Sequence, residues 1–123
     1  MIELKQALYE LLESVHARVY HKKANDQAVF PYLVYSISNS LVNGDQETFI
    51  MDVDVWDDDP DTTSIDTISD AVWKKLHKHH HLDDDIQFSI YRQTRFSVED
   101  DDNRLGRIKM TFEIKYFDRG MYE

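Results

Sequence analysis

The chain has 123 residues, enough for one domain whose core hides roughly two-thirds of the unfolded surface, so folding requires neither a disulfide nor a metal. It contains no cysteine, which excludes thiol redox chemistry, cysteine nucleophiles and cysteine-based zinc sites. Acidic residues number 24 against 14 lysines and arginines, a formal net charge of −10, and the basic residues are scattered, which argues against tight, direct nucleic-acid binding.

The first residues, Met1-Ile2-Glu3-Leu4-Lys5-Gln6, introduce charge at once, so they hold no signal-peptide core. No apolar run approaches membrane-spanning length, and a soluble protein made in the cytoplasm is expected. Leu4, Ala7, Leu8, Leu11, Leu12 and Val15 then recur with helical spacing, which predicts an amphipathic first helix. Residues 17–20 form a short strand candidate, and His21 to Ala28 read as a polar loop. Pro31 biases Phe30 towards an extended conformation.

From Tyr32 the chain alternates, with Leu33, Tyr35 and Ile37 on one side and Tyr32, Val34, Ser36 and Ser38 on the other. Asn43-Gly44 predicts a two-residue type I′ hairpin turn, because both positions of that turn require positive φ. The returning strand alternates Phe49, Met51, Val53 and Val55 with Ile50, Asp52, Asp54 and Trp56, one buried face and one wet face. Thr63-Ser64-Ile65-Asp66 has the spacing of a capping box, and Ile65, Ile68, Val72 and Leu76 continue as a second helix from Ser64 to about Lys78. Two further strands carry Phe88, Ile90, Phe96 and Val98, then Ile108, Met110, Phe112, Ile114 and Tyr116. Arg92 and Thr94 interrupt the first of these, which predicts a bulge or an exposed strand end. The last strand, with its basic wet face, could pair against Asp52 and Asp54.

The order helix, short strand, hairpin, helix, hairpin implies an α+β fold over residues 1–123: two helices packed on one face of a four- to five-stranded antiparallel sheet. The acidic runs Asp57-Asp58-Asp59, Asp83-Asp84-Asp85 and Glu99-Asp100-Asp101-Asp102 read as solvated loops.

Reactive constellations are sparse. His77 and His81, four apart at the end of the second helix, would share one helical face and are the candidate metal ligands. A metal site needs three or four convergent ligands with outer-shell support, and adventitious nickel or zinc binding is the plainer reading. The paired carboxylates lie in loops or on a wet strand face, not in an apolar pocket that would raise a pKa for acid–base work. With glycines only at 44, 106 and 120, no phosphate-cradling loop exists. No cofactor is expected. Trp56 and Trp73 read as core or rim packing, and Tyr32, Tyr35, Tyr91, Tyr116 and Tyr122 as candidate interface tyrosines.

Three segments in this order carry a resemblance: Arg18-Val19-Tyr20 after an amphipathic helix, Phe30-Pro31-Tyr32-Leu33-Val34-Tyr35, and Phe49-Ile50-Met51-Asp52-Val53-Asp54-Val55-Trp56-Asp57 before a helix and a closing hairpin. From Leu4 to Phe117 the chain resembles the tail-completion, or tail-to-head joining, proteins of siphophages and prophages. The resemblance implies a tail-terminator-like fold and no enzymatic activity. It also implies a structural role in virion assembly: a ring, commonly a hexamer, capping the head-proximal end of the tail tube. The partners would be further copies of the chain, the tail-tube protein and the head connector. DNA would pass through the ring without tight binding, no membrane would be involved, and the site would be the virion tail after assembly in the host cytoplasm.

A ring needs a heterologous interface that closes, and exposed strand edges can supply it. The hairpin tips are the natural contact elements, so Leu41, Val42, Asn43 and Gly44, with Asp100, Asp101, Asp102 and Arg104, are the interface candidates. One acidic run facing the channel would repel DNA phosphates. The competing readings are a small His/Asp metal-binding protein or metal-dependent enzyme, and a protein-interaction adaptor with no phage link.

Overall fold

A computed structural model describes residues 2–98 and 105–118, apart from the side chain of Asn39. Its elements are α1 (Ile2–Glu13), β1 (Val19–His21), β2 (Tyr32–Asn43), β3 (Gln46–Asp57), α2 (Thr63–Leu76), β4 (His80–Leu82), β5 (Ile86–Ser97) and β6 (Gly106–Asp118).

The strands form one six-stranded sheet in the order β1-β2-β3-β6-β5-β4. β1 runs parallel to β2, through Val19 opposite Leu33 and His21 opposite Tyr35, while the other neighbours are antiparallel. The expected four- to five-stranded antiparallel sheet is therefore wrong: the sheet is mixed, larger and curled into a half-barrel. The short strand expected at 17–20 is present as β1, but it pairs parallel to β2, and such pairing depends on backbone groups that side-chain patterns do not report; β4 is an additional strand. β4 was hidden because its residues His80–Leu82 fall in the histidine-rich stretch read as the end of a helix.

The long strands form because their apolar residues alternate, and one face of each is sealed. Leu33, Tyr35, Phe49, Met51, Val53, Val55, Phe88, Ile90, Met110, Phe112, Ile114 and Tyr116 are buried in one cluster with Leu4, Leu8 and Leu12 of α1 and Ile65, Val72 and Leu76 of α2. Each such aliphatic or aromatic side chain contributes roughly 1.5–3 kcal/mol by leaving water. Trp73 of α2 lies with its ring 5.6 Å from that of Phe112, locking the helix across the sheet centre. α2 begins close against β6, where a Cβ on Gly106 would come within 3.3 Å of Ile65 Cδ1.

Several local expectations change. The hairpin turn is Gly44-Asp45, not Asn43-Gly44, because Asn43 pairs with Gln46. Gly44 alone has positive φ, +62°, which is the II′ pattern with glycine first, so Asn43 ends the strand instead of turning it. The cap of α2 is not a Thr63 capping box. Asp61 accepts from the Thr63 amide at 3.0 Å and from the Thr63 hydroxyl at 2.6 Å, and those two bonds hold its carboxyl below the usual range. Asp57 is 4 % exposed, not part of a solvated run, and accepts the Asp58 amide at 2.8 Å. The irregularity expected at Arg92 and Thr94 is present as a register shift between those residues in the β5–β6 ladder. β6 lies beside β3 with Asp54 opposite Lys109, so the basic wet face does meet the acidic one.

Candidate assembly surfaces

Among the described residues no helix packs on the sheet's second face. Alternation places Tyr32, Val34, Ile50, Asp52, Asp54 and Trp56 there from β2 and β3, with Arg107, Lys109, Thr111 and Glu113 from β6. Three of its side chains form a stack. The Arg107 guanidinium lies 4.8 Å above the Trp56 ring and its Nε donates to Asp54 Oδ1 at 3.1 Å. Each member satisfies another: the ring sees the cation's face and the carboxylate takes its edge. Tyr32, opposite Trp56, is packed by Tyr20 edge-on at 5.7 Å and by Phe30 stacked at 5.0 Å. Burial, then the neighbouring Tyr20, pushes the Tyr32 hydroxyl pKa up.

The Lys22–Asp26 loop overhangs this stack and leaves a cleft of about 410 Å³. His16 Nε2 at 2.8 Å and Arg18 Nη1 at 3.3 Å donate to the carbonyl of Pro31, which follows a cis peptide bond, and so tie the entry of β2 to the α1–β1 connection.

The β2–β3 hairpin is the second surface. Leu41 is 71 % and Val42 68 % exposed, and nothing lies within 4 Å of a Cβ built at Gly44. The Ser40 hydroxyl bonds the Glu47 carboxylate across the hairpin, and Gln46 Nε2 donates to Thr48 Oγ1 at 3.2 Å, so the hairpin's shape is held by its own side chains. Of the expected interface residues, Leu41, Val42, Asn43 and Gly44 are together at this tip. Asp100, Asp101, Asp102 and Arg104 lie outside the described residues.

The histidine cluster is dispersed by the fold. His77 is the extended C-cap of α2 and Lys78 follows at φ +61°, so His77 and His81 do not share a helical face. His77 Nδ1 accepts the Arg92 amide at 3.2 Å. His80 Nδ1 meets Ser89 Oγ at 2.6 Å. His81 stacks on Phe88 at 4.8 Å, and its Nε2 lies 2.7 Å from Asp83 Oδ2. That bond, with the amides of Ile86 and Asp85, draws the Asp83 carboxyl down to about 2. Burial first, then His81, Lys75 and His80, lowers the His79 pKa. Among the described residues no three His, Asp or Glu side chains converge as a metal site would require. No helix among them is long and apolar enough to cross a membrane.

Two of the tyrosines read as interface residues are instead core: Tyr35 and Tyr116 are buried, the latter edge-on to Phe49 at 5.7 Å. Tyr91 is half-buried on the uncovered face with Lys115 Nζ 5.5 Å from its ring, and Tyr122 lies outside the described residues. The Arg107–Trp56–Asp54 stack was missed. Its only sequence signal was the pairing of a basic wet face with an acidic one.

The sequence profile of the family described as tail completion protein gp17 matches residues 4–116. Among solved structures, a chain of the virion of a native gene transfer agent (GTA) particle superposes with a TM-score of 0.64 at 13 % identity, covering 86 % of this chain and 84 % of that one. At that identity the likeness concerns the fold. Among curated proteins none matches the sequence. The family match spans both helices and all the long strands, and the chain belongs to the tail completion protein gp17 family, the structural proteins of phage tails.

Proposed function

We propose that the chain closes the head-proximal end of the tail tube and presents a docking surface to the head connector, acting as a ring of identical copies, six in the resembling proteins. The observation that carries this reading is the division of labour within one sheet. Helices seal one face, and the other face, the hairpin tip and both edges are left for neighbours. Nothing in such an arrangement needs to move a proton or hold a metal, so the role is structural and not catalytic. At a net charge of −10 the ring would let DNA pass without sticking. Its place is the virion tail, after assembly in the host cytoplasm.

Deleting the gene from the producing phage and imaging the particles tests the reading. Free heads, together with tails of irregular length, are expected, and complementation with the intact chain should restore joined particles. Normal joined particles in the deletion would overturn it.

A further inference from the structure

The sheet has two open edges, and they are complementary. β1 covers β2 only at Leu33–Tyr35, so among the described residues nothing pairs with 36–43 on that side. On the opposite edge β4 covers β5 at Gln87–Ser89 and residues 77–79 continue as far as Arg92, leaving 93–97 open among the described residues. The two openings sit at diagonal corners. Through the ladders, Arg95 is level with Met110, Val53 and Tyr35, whereas the middle of the β2 opening, Ser40, is level with Phe49. The offset from Val53 to Phe49 is about four residues, or roughly 13 Å at 3.3 Å per residue.

Strand direction adds the decisive constraint. Taking β2 as up, β3 runs down, β6 up and β5 down. A second copy placed beside β2 in the same orientation therefore offers β5 antiparallel to it, with no inversion of the molecule and with its helices on the same side. An inter-copy ladder of this kind is heterologous, and it repeats. A sheet that closes also needs a fixed stagger between strands, and the diagonal offset of the openings supplies one at every joint.

We infer that the copies join by strand addition, residues 36–43 of one copy pairing antiparallel with residues 93–97 of the next, with Ser40 near the neighbour's Arg95. This rests on the ring reading above and names its interface. Side chains agree with it. Ser40 and Arg95 both point to the helix-covered side, being paired with Phe49 and Met110, while Leu41 and Thr94 both point to the uncovered side, being paired with Thr48 and Thr111. Leu41, 71 % exposed, then becomes the diagonal neighbour of the next copy's Phe96, 50 % exposed, so the joint buries two apolar side chains that each copy alone leaves in water. The β2 opening, Ser36-Ile37-Ser38-Asn39-Ser40-Leu41-Val42-Asn43, carries no charge, which lets chains of net charge −10 meet there. The opening on β5 has only Arg95, whose Nη1 is held by Asp70 Oδ1 at 2.7 Å.

The absence of cysteine makes the test clean. Tails are isolated from cells producing Leu41→Cys, Thr94→Cys or the double variant, oxidised, and run without reductant. The double variant should give a ladder of disulfide-linked copies ending at the ring number, and each single variant should give no linked species. A backbone test accompanies it. Leu33 and Tyr35 turn their amide and carbonyl towards β1, and the irregularity between Ile37 and Asn39 passes that outward set to Ser40 and Val42. Ser40→Pro removes one outward donor and should abolish the ring, while Ser40→Ala, which keeps that donor, should not; thermal melts of both verify folding. Rings seen by microscopy in Ser40→Pro, or rings of the double variant without 41–94 links, would overturn the joint and leave the ring reading standing. Tails carrying a single copy of the chain would overturn both.

Discussion

The two faces of the sheet are built from the same strands, residue by residue in alternation, and they are under different physical demands. On the helix-covered face, Met51, Val53, Val55, Met110, Phe112 and Ile114 are fully buried, and the residues opposite them are apolar in turn. On the other face, Asp54, Trp56 and Arg107 satisfy one another in a stack that stays partly wet. The covered face holds the fold by area removed from water, a non-directional term that tolerates no polar substitution. The uncovered face holds little of the stability. Its charged and aromatic groups are arranged by direction, which suits a surface made for contact. One pleated layer can therefore fold through one side and leave the other open.

Substitutions can break that contrast, and the largest effect is expected on the covered face. Phe112→Ala removes the ring packed on Trp73 and should cost about 3–5 kcal/mol, read as a lower urea midpoint. A cost near 1 kcal/mol would mean that the core collapses around the gap and that the two faces differ less than proposed. On the uncovered face, Arg107→Ala removes both the Asp54 pair and the contact with Trp56 and should cost about 1 kcal/mol in the same titration. At the tip, Gly44→Ala forces a Cβ into φ +62° with open space around it, so the loss should be about 1 kcal/mol of backbone strain and nothing from clash. Leu41→Ser should change stability by less than about 0.5 kcal/mol while reducing the number of joined particles. Unchanged joining would remove the tip from the assembly surface.

Acidification acts at the two edges of the sheet, on His21 of β1 and on His79 just before β4. Burial lowers the pKa of His79 and of His21 in the fold. Below about pH 6.5 the unfolded chain takes up protons that the folded chain resists, so stability should fall as pH drops from 7 to 5. The Asp83 carboxyl is drawn down as well, to about 2 from 3.8, chiefly by its bond to His81, so its contribution is present above 3.8 and is lost in a lower window, as pH falls towards 2. Thermal melts at pH 7, 6 and 5 should show the decline, and His79→Gln should flatten it. A flat profile for the unsubstituted chain would show that the imidazoles titrate alike in both states.

The sequence by itself determined the repeating parts. The leucine stripe of α1, the Ile65–Leu76 stripe of α2 and the alternation of β2, β3, β5 and β6 were legible, because burial over ten or more residues imposes a period on composition. The exposed residues Leu41 and Val42 were placed at a hairpin tip by the turn signal beside them, not by burial. Only the tertiary structure decided the rest. It laid the short strand expected at 17–20 parallel to β2 as β1 and added β4 at the far edge, each through backbone bonds over three residues. It ended α2 at His77 and so separated the imidazoles, it buried Tyr35, Tyr116 and Asp57, and it moved the turn to Gly44-Asp45. It also set the two open edges at diagonal corners. A residue's own period says which way it faces, but what it meets there depends on which strand the chain lays beside it.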